Sequence, residues 1–98
     1  MRKIVWARAA RTEFREAMRY LGRHDRSAAR LVSERISAAV LLVAKHPVGR
    51  PTKIPGVYVK LIVKTPYVMT HRANVGEIEI LRLIHQRQSS APSGDASS

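Results

Sequence analysis

The chain has 98 residues, enough for one domain with one core. Hydrophobic residues make up 45% of it, so a packed core is expected, and the lack of cysteine excludes a disulfide framework or a thiolate metal site. Eighteen Lys and Arg against seven Asp and Glu give a net charge of +11, an excess that repels itself and attracts polyanions: nucleic acid, ribosomes or acidic proteins.

Met1-Arg2-Lys3 is followed by only a short apolar run, Ile4 to Ala7, so no secretory signal is expected. The longest near-apolar run, Ala38 to Ala44, is too short to span a bilayer. These features predict a cytoplasmic protein with no membrane partner.

Lys3-Ile4-Val5-Trp6 is short and β-prone and reads as a first strand. From about Ala9 the period changes: Ala10, Phe14, Ala17, Met18 and Leu21 recur at helical spacing, with Arg11, Arg15 and Arg19 opposite. Gly22 is the expected stop, and Asp25 or Ser27 the cap of a second helix. The second apolar stripe runs Leu31, Val32, Ile36, Ala39, Val40 and Val43 until Pro47 ends it, giving an αα-hairpin. Residues 47–56 are expected as loop. Three strands follow: Val57 to Lys64, Tyr67 to Ala73, and Glu77 to His85, with turns at Thr65-Pro66 and Asn74-Val75-Gly76. The fold class is therefore α+β, with an N-terminal strand, an αα-hairpin and a three-stranded antiparallel meander in one sheet, the helices on one face. A single domain is expected over 1–88, with 89–98 a disordered polar tail.

The turn lengths set a register. A two-residue turn at Thr65-Pro66 places Lys64 opposite Tyr67 and Lys60 opposite His71. A three-residue turn at 74–76 places His71 opposite Glu79. One face then carries Val57, Val59, Leu61, Val63, Val68, Thr70, Ile78, Ile80 and Ile84, plus Arg72 and Arg82, and is expected to meet the helices. The open face carries Tyr58, Lys60, Ile62, Lys64, Tyr67, Met69, His71, Glu77, Glu79, Leu81, Leu83, His85 and Arg87. Lys60, Lys64, Tyr67, His85 and Arg87 form the candidate binding cluster: cations, an imidazole and a phenol suited to phosphate or to a carboxylate-rich surface. His71 and His85 lie roughly 20 Å apart in this register, too far to act on one phosphate. His71 is expected to contact Glu79, while Arg72 and Arg82 are expected to pair with Glu13, Glu16 or Glu34. No cofactor and no metal is expected.

The strand ending in Trp6, the helical hairpin, "HPVGRP", "YVKLIV", "PYVMTHR" and "IEILRLIHQRQ", in that order, resemble the RelE/ParE toxins of bacterial type II toxin–antitoxin systems. The resemblance covers residues 3–88 and rests on Gly49-Arg50, on Pro66-Tyr67 followed by Arg72, and on "ILRLIH". It implies a toxin neutralised by a cognate acidic antitoxin in a hetero-oligomer. ParE-like members inhibit DNA gyrase by protein–protein contact. RelE-like members are metal-free endoribonucleases that cut mRNA on the ribosome. Lys60 and Arg87 match basic positions of the nucleases, and His85 is compatible with either branch. Val68 stands where those nucleases carry an arginine, and no aromatic residue follows Arg87. "ILRLIH" and "PY" are closer to ParE, so gyrase inhibition is the expected activity. If the chain is instead a ribonuclease, His85, Lys60 and Arg87 are the expected catalytic residues.

Overall fold

The computed structural model describes residues 1–87; the tail expected at 89–98, together with Gln88, lies outside the described residues. β1 (Lys3–Trp6) is followed by α1 (Arg8–His24), whose Ala10, Phe14, Ala17, Met18 and Leu21 face the core as their spacing predicts. α1 does not stop at Gly22. It continues to His24 because Asp25 supplies both helix ends. Its N–H donates to the Leu21 carbonyl at 2.8 Å, and its Oδ1 accepts from Ala28 N–H at 3.1 Å. One residue thus closes α1 and caps α2 (Arg26–Lys45).

α2 buries Ile36, Ala39, Val40, Val43 and Ala44 and ends at His46, just before Pro47. Leu31, expected on its apolar stripe, is exposed. The segment expected as pure loop contains a short edge strand, β2 (Arg50–Pro51), where the missing proline N–H costs nothing. β3 (Val57–Leu61), β4 (Tyr67–Ala73) and β5 (Glu77–His85) complete one sheet of order β1-β5-β4-β3-β2. β1 runs parallel to β5, and every other pair is antiparallel. Two helices on a five-stranded sheet make the α+β class expected, with β2 added at the edge.

The register differs from the expected one in both hairpins. The β3–β4 connection is five residues, 62–66, rather than two: Leu61 faces Val68, Lys60 faces Met69, and Ile62 N–H donates to the Tyr67 carbonyl at 3.0 Å. Thr65 organises this turn by donating its hydroxyl to the Ile62 carbonyl and accepting from Tyr67 N–H. Lys64 takes a positive φ of 59° there and stands off the sheet, not opposite Tyr67. In the second hairpin His71 faces Ile80, Thr70 faces Arg82, and a bulge accommodates Leu81 between them.

That one extra residue inverts the expected faces. Strict alternation separates Ile78 and Ile80 from Leu83 and His85; the bulge puts all four on one side. The core therefore contains Tyr67, Met69, Ile78, Ile80 and Leu83, packed with Ala10 and the buried stripe of α2. Tyr67, Met69, Leu83 and His85, expected on the open face, are on the helix side. Val57, Val59, Leu61 and Val68 take the other face by alternation.

Candidate functional site

β1 covers only Glu77–Ile80 of β5, so among the described residues the edge of β5 beyond Ile80 has no strand beside it. α1 fills that place. Glu13 accepts from the backbone N–H of Leu83 at 2.9 Å and from Arg82 through Nε and Nη2. Its carboxylate thus replaces a strand's carbonyl and pairs a guanidinium at once. Hydrogen bonding to Glu13 raises the Arg82 pKa further, against the opposing effect of burial, and keeps this side chain a cation. The expected pairing of Arg82 with a helix glutamate holds. Arg72 does not follow it: it pairs with Glu79 at 3.0 Å across the β4–β5 ladder.

Beyond Glu13 the end of β5 and α1 flank an open cleft of about 770 Å³, lined by Glu13, Glu16, Tyr20, Tyr67, Arg82, His85 and Arg87. His85 lies opposite Tyr67, with the two rings edge-on at 5.3 Å. His85 Nδ1 accepts from Arg87 N–H at 3.1 Å, so in the neutral ring Nε2 carries the proton. Gln86 N–H donates to the Pro66 carbonyl at 2.7 Å and fixes the strand end against the turn. Burial, with a smaller contribution from Tyr20, pushes the Tyr67 phenol up, so it is a neutral hydrogen-bonding group at pH 7 and not a base.

Three of the five candidate residues, Tyr67, His85 and Arg87, meet in this cleft. Lys60 does not line it. It sits two strands from β5 and lines a smaller groove of about 180 Å³ with Arg35, Ala38, Ala39, Leu42, Leu61 and Val63. The Lys64 side chain is exposed on the turn, and its carbonyl accepts from Arg35 Nη1 at 3.0 Å. Glu16 and Tyr20 were missed as cleft residues. Their signal was available: with Glu13 they recur at three and four residues, one flank of α1.

His71 is the one buried polar side chain among the described residues, and it does not contact Glu79 as expected. Its Nε2–H donates to the Val48 carbonyl at 3.0 Å, leaving Nδ1 without a partner among the described residues. Burial lowers its pKa, nearby Lys60 adds to the effect, and the Val48 hydrogen bond opposes it. The Tyr58 ring stacks on it at 6.2 Å. Gly49 passes beneath with φ of 150°, where a Cβ would come 2.8 Å from the Val59 carbonyl and 3.2 Å from His71 Nε2. "HPVGRP" is therefore a latch that ties the end of α2 to β3 and β4.

A family model described as "ParE toxin of type II toxin-antitoxin system, parDE" matches residues 4–90 of this chain. The chain belongs to the ParE toxin family. One relative is Y4kP of Sinorhizobium fredii (strain NBRC 101917 / NGR234), named as a candidate toxin. It is 31% identical over 88 residues, spanning 89% of this chain and 91% of that protein. Two solved structures share the fold. The chromosomal ParDE toxin–antitoxin system from P. aeruginosa superposes with a TM-score of 0.77 at 22% identity, covering 87% of this chain and 96% of that one. The YoeB/ParE toxin from Agrobacterium tumefaciens gives 0.59 at 16% identity, covering 85% and 96%. The expected RelE/ParE membership, on its ParE side, is thus met. The chain is a ParE-type toxin of a toxin–antitoxin system. No helix among the described residues is long and apolar enough to cross a membrane, and none of their His, Asp and Glu groups forms a metal-binding cluster.

Proposed function

We propose that this ParE-family toxin inhibits DNA gyrase by protein–protein contact in the cytoplasm and is neutralised by a cognate acidic antitoxin. The observation that carries the reading is the composition of the cleft at the end of β5. Metal-free RNA cleavage calls for an acid, a base and cations converging on one phosphate. Here Lys60 lines a different groove, and Tyr67 is a neutral phenol. Two carboxylates, Glu13 and Glu16, line the wall that a phosphate would approach. Such a mixture of acids, cations and aromatic rings suits a protein surface better than an RNA strand.

The groove between α2 and β3 suits the antitoxin. Its floor of Ala38, Ala39, Leu42, Leu61 and Val63 is apolar, and Arg35 and Lys60 stand beside it. An amphipathic helix with acidic flanks matches both features. One observation favours the second reading, a ribosome-dependent endoribonuclease acting on mRNA through His85, Lys60 and Arg87: His85 lies in an open cleft beside Arg87 and a phenol.

The test runs the purified toxin in a gyrase supercoiling assay and, in parallel, in a translating extract. Loss of supercoiling with intact message is the expected result. Cuts at codon boundaries with normal gyrase activity overturn it in favour of the nuclease. No effect in either assay leaves a toxin-fold protein whose only partner is its antitoxin.

A further inference from the structure

Five of the arginines lie on one helix. Arg8, Arg11, Arg15, Arg19 and Arg23 belong to α1, and all are exposed. At 100° per residue they fall within an arc of about 120°, opposite Ala10 and Ala17, and at 1.5 Å per residue they span about 22 Å. Only Thr12 and Gly22 share that arc. The two acids of α1 lie outside it: Glu13 is committed to Arg82, and Glu16 lines the cleft at the end of β5. Arg11 also donates to the Trp6 carbonyl at 3.2 Å, which spends one of its five donors. Neither the Arg72–Glu79 nor the Arg82–Glu13 ion pair involves these five guanidiniums.

Like charges at i,i+4 destabilise a helix, and here Arg11, Arg15, Arg19 and Arg23 form three such steps in succession. A row of this kind is stabilised by a linear polyanion running beside it. The geometry points to the sugar–phosphate backbone of duplex DNA as that ligand, bound along the outer face of α1 without base readout. Duplex DNA offers one negative charge per about 1.7 Å of axis, so even a ridge of this length meets more phosphates than it has arginines. Guanidiniums about 6 Å apart along a rigid helix can each take a separate phosphate. The surface is distinct from both the cleft and the groove, and its role does not depend on which enzyme the toxin poisons.

The experiment is anisotropy of a short labelled duplex of mixed sequence titrated with the full chain at several salt concentrations. Four to five phosphate contacts give a slope of log affinity against log salt of about −4. Arg15→Gln with Arg19→Gln, both conservative for helix propensity, reduces the slope by about 2. Lys45→Gln with Lys53→Gln removes the same charge from exposed positions elsewhere and leaves the slope unchanged. Circular dichroism establishes that both double variants fold. Equal weakening by the two double variants overturns the assignment to α1. Absence of duplex binding at low salt overturns it altogether. Tighter binding to a single-stranded RNA or an acidic peptide of equal charge gives the ridge to another class of partner and likewise overturns the proposal.

Discussion

His85 and Arg87 share a strand end but offer different chemistry. His85 contributes an imidazole whose Nδ1 accepts from Arg87 N–H; Arg87 contributes a guanidinium. If the cleft binds a protein surface, His85→Gln costs little toxicity, and Arg87→Ala costs more. A nuclease using His85 as general acid reverses the order, losing about 10²–10⁴-fold from the histidine change alone. Growth arrest by each variant expressed without antitoxin, after folding is checked, separates the two. Gly49 makes a simpler case. Gly49→Ala forces a side chain into a positive-φ site against the Val59 carbonyl and is expected to cost about 1–3 kcal/mol. At about 4–8 °C per kcal/mol the fall in Tm is easily measured, and an unchanged Tm contradicts the close approach. His71 links the same latch to pH. Its folded pKa is depressed, so the folded state binds fewer protons than the unfolded one. Its contribution is fully present above the unfolded value of 6.5 and is lost as pH falls from there through the depressed folded value. The urea midpoint should drop between pH 7 and pH 5, and His71→Gln should flatten that drop.

At the scale of elements, α1 stands in for a strand. Glu13→Ala leaves the Leu83 N–H without its acceptor and Arg82 without its acid, at an expected cost of about 1–3 kcal/mol. Glu13→Gln keeps an acceptor for Leu83 and should recover part of the loss. Chemical denaturation of both variants measures this; if Glu13→Ala leaves stability unchanged, the carboxylate does not hold the edge. These contacts also explain which features were legible in the sequence. Helical spacing located both helices, and β-prone runs located four of the five strands. β2 escaped because two residues, one of them proline, carry no strand pattern. The expected faces failed for a physical reason: the side-chain period of a strand is two, and a single bulged residue at Leu81 reverses everything beyond it. Nothing in "EIEILRLIH" marks the bulge, since Ile80, Leu81 and Leu83 are all acceptable in a core. The cluster of Tyr67, His85 and Arg87 was found nonetheless, because the whole β4–β5 end was displaced by an even number of residues. Lys60 and Lys64 were joined to it through a turn that proved five residues long.

For the whole molecule, charge is the controlling quantity. An acidic antitoxin approaching a chain of +11 is steered by the field, so its association rate should fall steeply as salt rises. Stopped-flow association at low and moderate ionic strength checks this, and a salt-independent on-rate contradicts it. Neutralisation of Arg35 and Lys60, which border the apolar groove, should affect the dissociation rate more than a distant pair of lysines does.

The parallel pairing of β1 with β5 sets the order in which the fold can form. Lys3 pairs with Glu77 and Trp6 with Ile80, so the first strand to leave the ribosome waits for the last. Glu13 waits similarly for Leu83. The helical hairpin can assemble early from local contacts, but the core residues Ile78, Ile80 and Leu83 arrive only with β5, after the rest of the sheet. The cleft has no wall until then, since His85 and Arg87 belong to the same final segment. If the cleft is the surface that poisons the target, a partly made chain is harmless through its own topology. If that groove takes the antitoxin, the interval between the hairpin's emergence and the closure of β5 is a kinetic window in which an antitoxin already present can meet the α2 half of the groove before the cleft exists.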